Sequence, residues 1–113
     1  MSDSIKELQA KITKFRDDRD WKQFHNPKDL AISISLEAAE LLEIFQWSGS
    51  DTSAEGKKEK VEEELADVMM YSILMADRMG LDISEIINKK LETNIKKYPV
   101  DKAFGKSNKY TEL

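Results

Sequence analysis

Two short acidic motifs limit what this chain can fold into. Glu37-Ala-Ala-Glu40 and Glu64-Leu-Ala-Asp67 each set two carboxylates three residues apart, inside stretches that otherwise read as amphipathic helix. Residues three apart in a helix lie about 60° apart around the axis, so both members of a pair can address one object. The direction in which they point carries the information. In helical projection Leu30, Ile34, Leu41 and Ile44 fall within about 60° of Glu37, which puts Glu37 in the middle of an apolar face and Glu40 on its edge. Val61, Val68, Tyr71 and Met75 surround Glu64 in the same way, with Asp67 at the margin. Glu43 and Glu62 point away from these faces and Glu63 points sideways, as solvated charges do. Burying an unpaired carboxylate costs several kcal/mol, and like charges raise one another's pKa. The inward carboxylates therefore need cationic company, either lysines at the core edge or a hard ion. An all-oxygen donor set favours Mg²⁺, with Mn²⁺ as the alternative.

The rest of the chain supplies helices and little else. Ser4-Ile-Lys-Glu7 reads as a capping box opening a first helix to about Asp20, with Ile5, Leu8, Ile12 and Phe15 as its apolar stripe. Trp21 to Asn26 breaks the pattern, and Asn26-Pro27 opens a second helix running to about Trp47. Residues 48–56, SGSDTSAEG, read as a mobile loop. A third helix is predicted from about Lys57 to Met79, stopped by Gly80. Asp82 or Ser84 caps a fourth, which ends near Lys97 ahead of Tyr98-Pro99. The polar tail reads as partly extended. No segment alternates with period two, so the expectation is an all-α, four-helix bundle over residues 1–113, a single domain without a sheet. Residues 65–76 are apolar almost all round, which one small chain cannot cover. A homo-oligomer, a dimer at least, is expected to complete the core.

Composition removes several kinds of chemistry. The chain has 113 residues and no cysteine, so disulfides, thiolate zinc sites and thiol nucleophiles are excluded. Its single histidine, His25, rules out a di-iron bundle, which needs two Glu-x-x-His motifs. A net charge of −4 argues against a broad surface for polymeric nucleic acid, but not against a small anion held through a metal. The most apolar run, Val68 to Ala76, is too short to span a membrane, and the first residues lack the form of a signal peptide. A cytoplasmic location is the expectation.

With Glu37 to Glu40 and Glu64 to Asp67 in order, and with RDWKQFHNP at Arg19 to Pro27, EIFQW at Glu43 to Trp47 and NIKKYP at Asn94 to Pro99, the chain resembles the MazG-like superfamily of all-α nucleotide pyrophosphohydrolases. Within it the pattern looks closest to the dCTP pyrophosphatase branch, and the resemblance covers nearly the whole chain. It implies that Glu37, Glu40, Glu64 and Asp67 are catalytic residues holding Mg²⁺. It implies that Trp21, His25, Trp47 and Tyr71 line a base pocket and that Lys90 and Asn94 reach polar groups of a nucleoside triphosphate. It also implies a tetramer built from two dimers and a role in clearing unwanted nucleotides. Physical chemistry agrees in kind, since flat rings hold a base by stacking and a His or Asn reads its edge. Lys106 and Lys109 read as solvated. Two rival readings stand beside this one: a helical module whose acidic stripe docks a basic peptide, and a regulator that binds nucleotides without cutting them.

Overall fold

Three of the four long helices begin where the sequence offers a side-chain acceptor for the first free backbone N–H groups. In the computed structural model, which describes residues 2–113, these helices are α1 (Ile5–Asp18), α2 (Pro27–Glu43), α3 (Lys58–Arg78) and α4 (Ile83–Lys97), followed by a short α5 (Val100–Ala103). Ser4 and Glu7 form the reciprocal capping box of α1. Asn26 accepts from Asp29 N at 2.8 Å at the start of α2, and Asp82 accepts from Glu85 N at 2.9 Å at the start of α4. Helix α3 starts at Lys57 without a side-chain cap. Among the described residues there is no strand, and no helix is long and apolar enough to cross a membrane.

The chain divides into two compact units, Met1–Leu81 and Asp82–Leu113. In the first, α2 packs extensively on α3, and α1 packs on α3 as well. Leu30, Ile44, Leu74 and Ala76 are buried there. The faces predicted around Glu37 and Glu64 are the faces that meet: Leu30 and Glu64 are buried, and Ile34, Glu37, Leu41, Val61, Val68, Tyr71 and Met75 are half-buried. Gly80 ends α3 at φ +66, with Gly80 N donating to Asp77 O and Leu81 N to Ala76 O, the glycine-dependent stop expected there.

Two segments differ from expectation. Helix α2 stops at Glu43, not Trp47, because residues 44–47 tighten into turns whose N–H groups reach back three residues, as from Phe45 N to Leu42 O at 2.9 Å. Such tightening satisfies carbonyls at a helix end. The connection after it, expected as a mobile loop, is held by its own hydrogen bonds. The Asp51 carboxylate accepts from Ser53 N at 2.9 Å and Glu55 N at 3.1 Å, and Ser48 Oγ donates to Asp51 O at 2.7 Å. Lys57 Nζ then donates to Ile44 O at 3.3 Å, tying the start of α3 to the end of α2.

In the second unit the tail is less extended than its polarity suggests. Pro99, fixed at φ −61, precedes the turn of α5, and Tyr110 begins a short 3-10 turn that runs to Glu112. The Tyr110 ring meets Tyr98 edge-on at 5.9 Å and lies 4.6 Å from Lys97 Nζ, so an aromatic and a cation–π contact anchor the end of the chain.

Candidate metal centre and adjoining cavity

Packing α2 on α3 brings three of the four motif carboxylates to one point. Glu37, Glu40 and Glu64 each offer an oxygen, and those oxygens lie within 4.8 Å of one another. Glu64 is only 6% exposed, Glu37 is half-buried and Glu40 is exposed. The lysine alternative is met once: Lys60, one turn back on α3, reaches Glu64 Oε1 at 3.1 Å. That contact leaves the far oxygens untouched. Glu37 Oε2 and Glu64 Oε2 are both buried without a hydrogen-bond partner among the described residues. Orphaned buried acceptors are costly, and they converge here with a third carboxylate. The strain registers on Glu40. Close to the Glu37 and Glu64 carboxylates, whose oxygens favour its protonated form and whose charge disfavours its ionised one, it has its pKa pushed up to about 7. Asp67, one turn beyond Glu64, does not join the cluster. It lines the neighbouring cavity.

That cavity has a volume of about 210 Å³ and lies within the first unit, walled by Trp21, His25 and Tyr71 together with Ile12, Phe15, Met70 and Leu74. Its aromatic wall depends on how α1 ends. Asp20 takes the left-handed conformation at φ 53, Asp20 N donates to Asp17 O and Trp21 N donates to Arg16 O. Aspartate tolerates that conformation better than most residues. The chain thereby turns so that Trp21 and His25 come back against α1 and α3. Trp21 meets Phe15 edge-on at 5.6 Å, and His25 meets Tyr71 at 6.3 Å. His25 Nδ1 is buried without a partner among the described residues. Burial, and behind it the charge of Arg16, holds the His25 pKa below the ordinary imidazole value, so the ring is neutral at pH 7.

The remaining expected residues sit elsewhere. Trp47 follows α2 at 89% exposure, outside the cavity that holds Trp21, His25 and Tyr71. Lys90 and Asn94 lie on α4 in the second unit, the first exposed and the second half-buried. Sequence reading passed over Arg16, which is 3% exposed and lines the same cavity. Its Nε donates to Asp17 Oδ1 at 2.8 Å and its Nη1 to Asp77 Oδ2 at 2.7 Å. A signal was present: Arg16 follows Ile12 by four residues, about 40° round the helix and on the apolar stripe itself.

Comparison with known proteins gives the family and a solved structure of similar fold. A profile of the MazG-like family matches residues 32–113. The dCTP pyrophosphatase 1 of Mus musculus is 36% identical over 116 residues, covering 97% of this chain and 68% of that protein. The Homo sapiens protein of the same name is 32% identical over 115 residues, with the same coverage of 97% and 68%. The crystal structure of a pyrophosphatase from Archaeoglobus fulgidus superposes with a TM-score of 0.76 at 42% identity, covering 88% of this chain and 95% of that one.

Proposed function

This chain belongs to the MazG-like family, and from that premise we propose that it is a metal-dependent nucleoside triphosphate pyrophosphohydrolase, releasing a nucleoside monophosphate and pyrophosphate. One observation carries the reading. Glu37 and Glu64, each with a buried oxygen that has no partner among the described residues, converge with Glu40, one helical turn from a residue of the aromatic cavity. The fit to a divalent ion rests on that donor set. It consists of hard carboxylate oxygens only, two of them buried without a partner among the described residues, and the Glu37 and Glu64 carboxylates push the pKa of the third group up. Glu37, Glu40 and Glu64 would hold Mg²⁺ or Mn²⁺, and Asp67, the fourth carboxylate of the motif, lines the cavity one turn beyond Glu64. A bound ion supplies charge neutralisation for the triphosphate and makes a neighbouring water more acidic.

The chain's own groups do the rest. Trp21 and Tyr71 offer ring faces or edges to a base, and the neutral His25 can read its edge through Nδ1. At about 210 Å³ the cavity is smaller than the roughly 300–1,000 Å³ of pockets that enclose whole drug-sized ligands, which suits a base with its phosphates outside. In the reaction the water oxygen bonds to the α-phosphorus as the bond from that phosphorus to the bridging oxygen breaks. The bonding pair leaves on pyrophosphate. The water's proton goes to a carboxylate of the cluster.

Two of the relatives are named for dCTP, which makes dCTP the first substrate to test. Pyrophosphate release from a panel of triphosphates, with and without Mg²⁺, is the decisive experiment; binding without release would make the chain a nucleotide-binding regulator instead. The working form we propose is a homo-oligomer. Met69 on α3 is 56% exposed, and Leu65 on α3 and Ile32, Leu36 and Leu42 on α2 are exposed too, an apolar surface that a second copy would cover. Light scattering should find at least two chains per particle, and a stable monomer at micromolar concentration would refute it.

A further inference from the structure

Arg16 is an expensive residue to place where it is. A guanidinium is always charged and carries five N–H donors with no acceptor. Buried to 3% exposure, this one commits Nε to Asp17 and Nη1 to Asp77, while Nη2 makes no hydrogen bond among the described residues. Asp77 is itself steadied by Gln9 Nε2 at 3.4 Å. Arg16 has partners that lie nearer the surface, Asp17 at 56% and Asp77 at 30% side-chain exposure, and desolvating a guanidinium for such pairs is often no more stabilising than an apolar side chain of the same shape. Its position suggests a reason. Arg16 lines the cavity with Trp21, His25, Tyr71 and Asp67, among Ile12, Phe15, Met70 and Leu74, whose side chains offer no hydrogen bonds.

We propose that Arg16, fixed by Asp77, reads the nucleobase through a ring carbonyl oxygen, so that the chain takes nucleotides of keto bases (cytosine, uracil, thymine, guanine) in preference to those of adenine. This rests on reading the cavity as the base site. A keto oxygen accepts from the free face of the guanidinium. Adenine has no such oxygen: its exocyclic group is an N–H donor, and only its ring nitrogens accept. A site built to hydrogen-bond one group discriminates strongly against an analogue that lacks it, because its own polar atoms are then stranded. His25, whose burial holds its pKa down, and Asp67 line the same cavity, so Arg16 is the cationic group among its lining residues at pH 7.

The test compares wild type with Arg16→Met, Arg16→Lys and the double variant Arg16→Met/Asp77→Leu, which removes both members of the buried pair. Thermal melting establishes that each is folded. Two readouts follow: kcat/KM for dCTP, dTTP, dGTP and dATP with Mg²⁺, and calorimetric binding of dCMP and dAMP without metal. Wild type should favour keto bases over adenine by about tenfold to a hundredfold, the order that stranding one buried polar group gives. Arg16→Met should bring that ratio close to one, mainly by raising KM for the keto substrates, and Arg16→Lys should recover part of it. If the unpaired Asp77 prevents Arg16→Met from folding, the double variant and Arg16→Lys carry the comparison. An unchanged base ratio in the folded variants, or no preference in wild type, overturns the role of Arg16 and leaves hydrolysis standing. No hydrolysis by wild type, with dCMP still preferred over dAMP until Arg16 is replaced, removes the proposed reaction and leaves Arg16 as the reader.

Discussion

Glu40→Gln isolates the electrostatic tension of the carboxylate cluster. In the folded chain Glu40 keeps its proton up to about pH 7, against an ordinary value of 4.5. Between those two values the folded state binds more protons than the unfolded chain, so this group's contribution to stability falls as pH rises from 4.5 to 7. Above that window the full repulsion from Glu37 and Glu64 is present; below it none is. His25, whose folded pKa lies below its ordinary value, acts in the opposite sense as pH rises, so the difference between wild type and variant is the quantity to read. With metal chelated, the melting temperature of Glu40→Gln relative to wild type should climb through the window and level off above it. The same proton opposes metal binding. At about pH 7 half the sites are protonated and at about pH 6 nine in ten, so Mg²⁺ should bind roughly fivefold more weakly at the lower pH and displace about half a proton at the higher. Calorimetry in buffers of different ionisation enthalpy measures that release. Parallel melting profiles for wild type and variant, with no proton displaced by Mg²⁺, would refute the reasoning.

Glu64→Gln should abolish most of the melting shift that Mg²⁺ gives wild type and most of the Mg²⁺-dependent hydrolysis, while Glu62→Gln, on the exposed face, should change neither. A normal Mg²⁺ shift in Glu64→Gln would remove Glu64 from the metal centre. Leu30→Ala, emptying a position only 1% exposed, should cost about 2–5 kcal/mol in denaturant unfolding. Trp21→Ala should weaken nucleoside monophosphate binding by about 1–3 kcal/mol, the loss of one base-stacking partner, and wild-type indole fluorescence should change on adding the same ligand. Equal affinities for wild type and Trp21→Ala would take the indole out of the base site.

Much of this architecture is legible in the sequence because its signals are local. The caps at Ser4, Asn26 and Asp82 and the stop at Gly80 act within one turn, and they set helix boundaries to within a few residues. The inward course of Glu37 and Glu64 follows from spacing alone, since a helix repeats its faces regularly. What spacing does not fix is the axial offset between two helices. That offset sends Asp67 to the cavity wall while Glu64 joins Glu37 and Glu40. Arg16 escaped for a related reason. On its own helix it is one polar break in an apolar stripe; Asp77, the partner that makes it buriable, lies 61 residues away. The end of α2 is not legible in the same way, because 3-10 turns share the apolar periodicity of the helix they close, over so few residues that pattern cannot separate them.

The tie from Lys57 to Ile44, with Asp51 folded between them, makes the α2–α3 connection a gauge rather than a leash. Sliding α3 by a single residue against α2 would move Glu64 about 1.5 Å along the axis and swing it about 100° around it, out of the company of Glu37 and Glu40. Surface connections ordinarily tolerate insertions and deletions. In this one a single added or lost residue is transmitted to the point where three carboxylates must meet. Its sequence is free to drift only in so far as its length and its anchor at Asp51 do not.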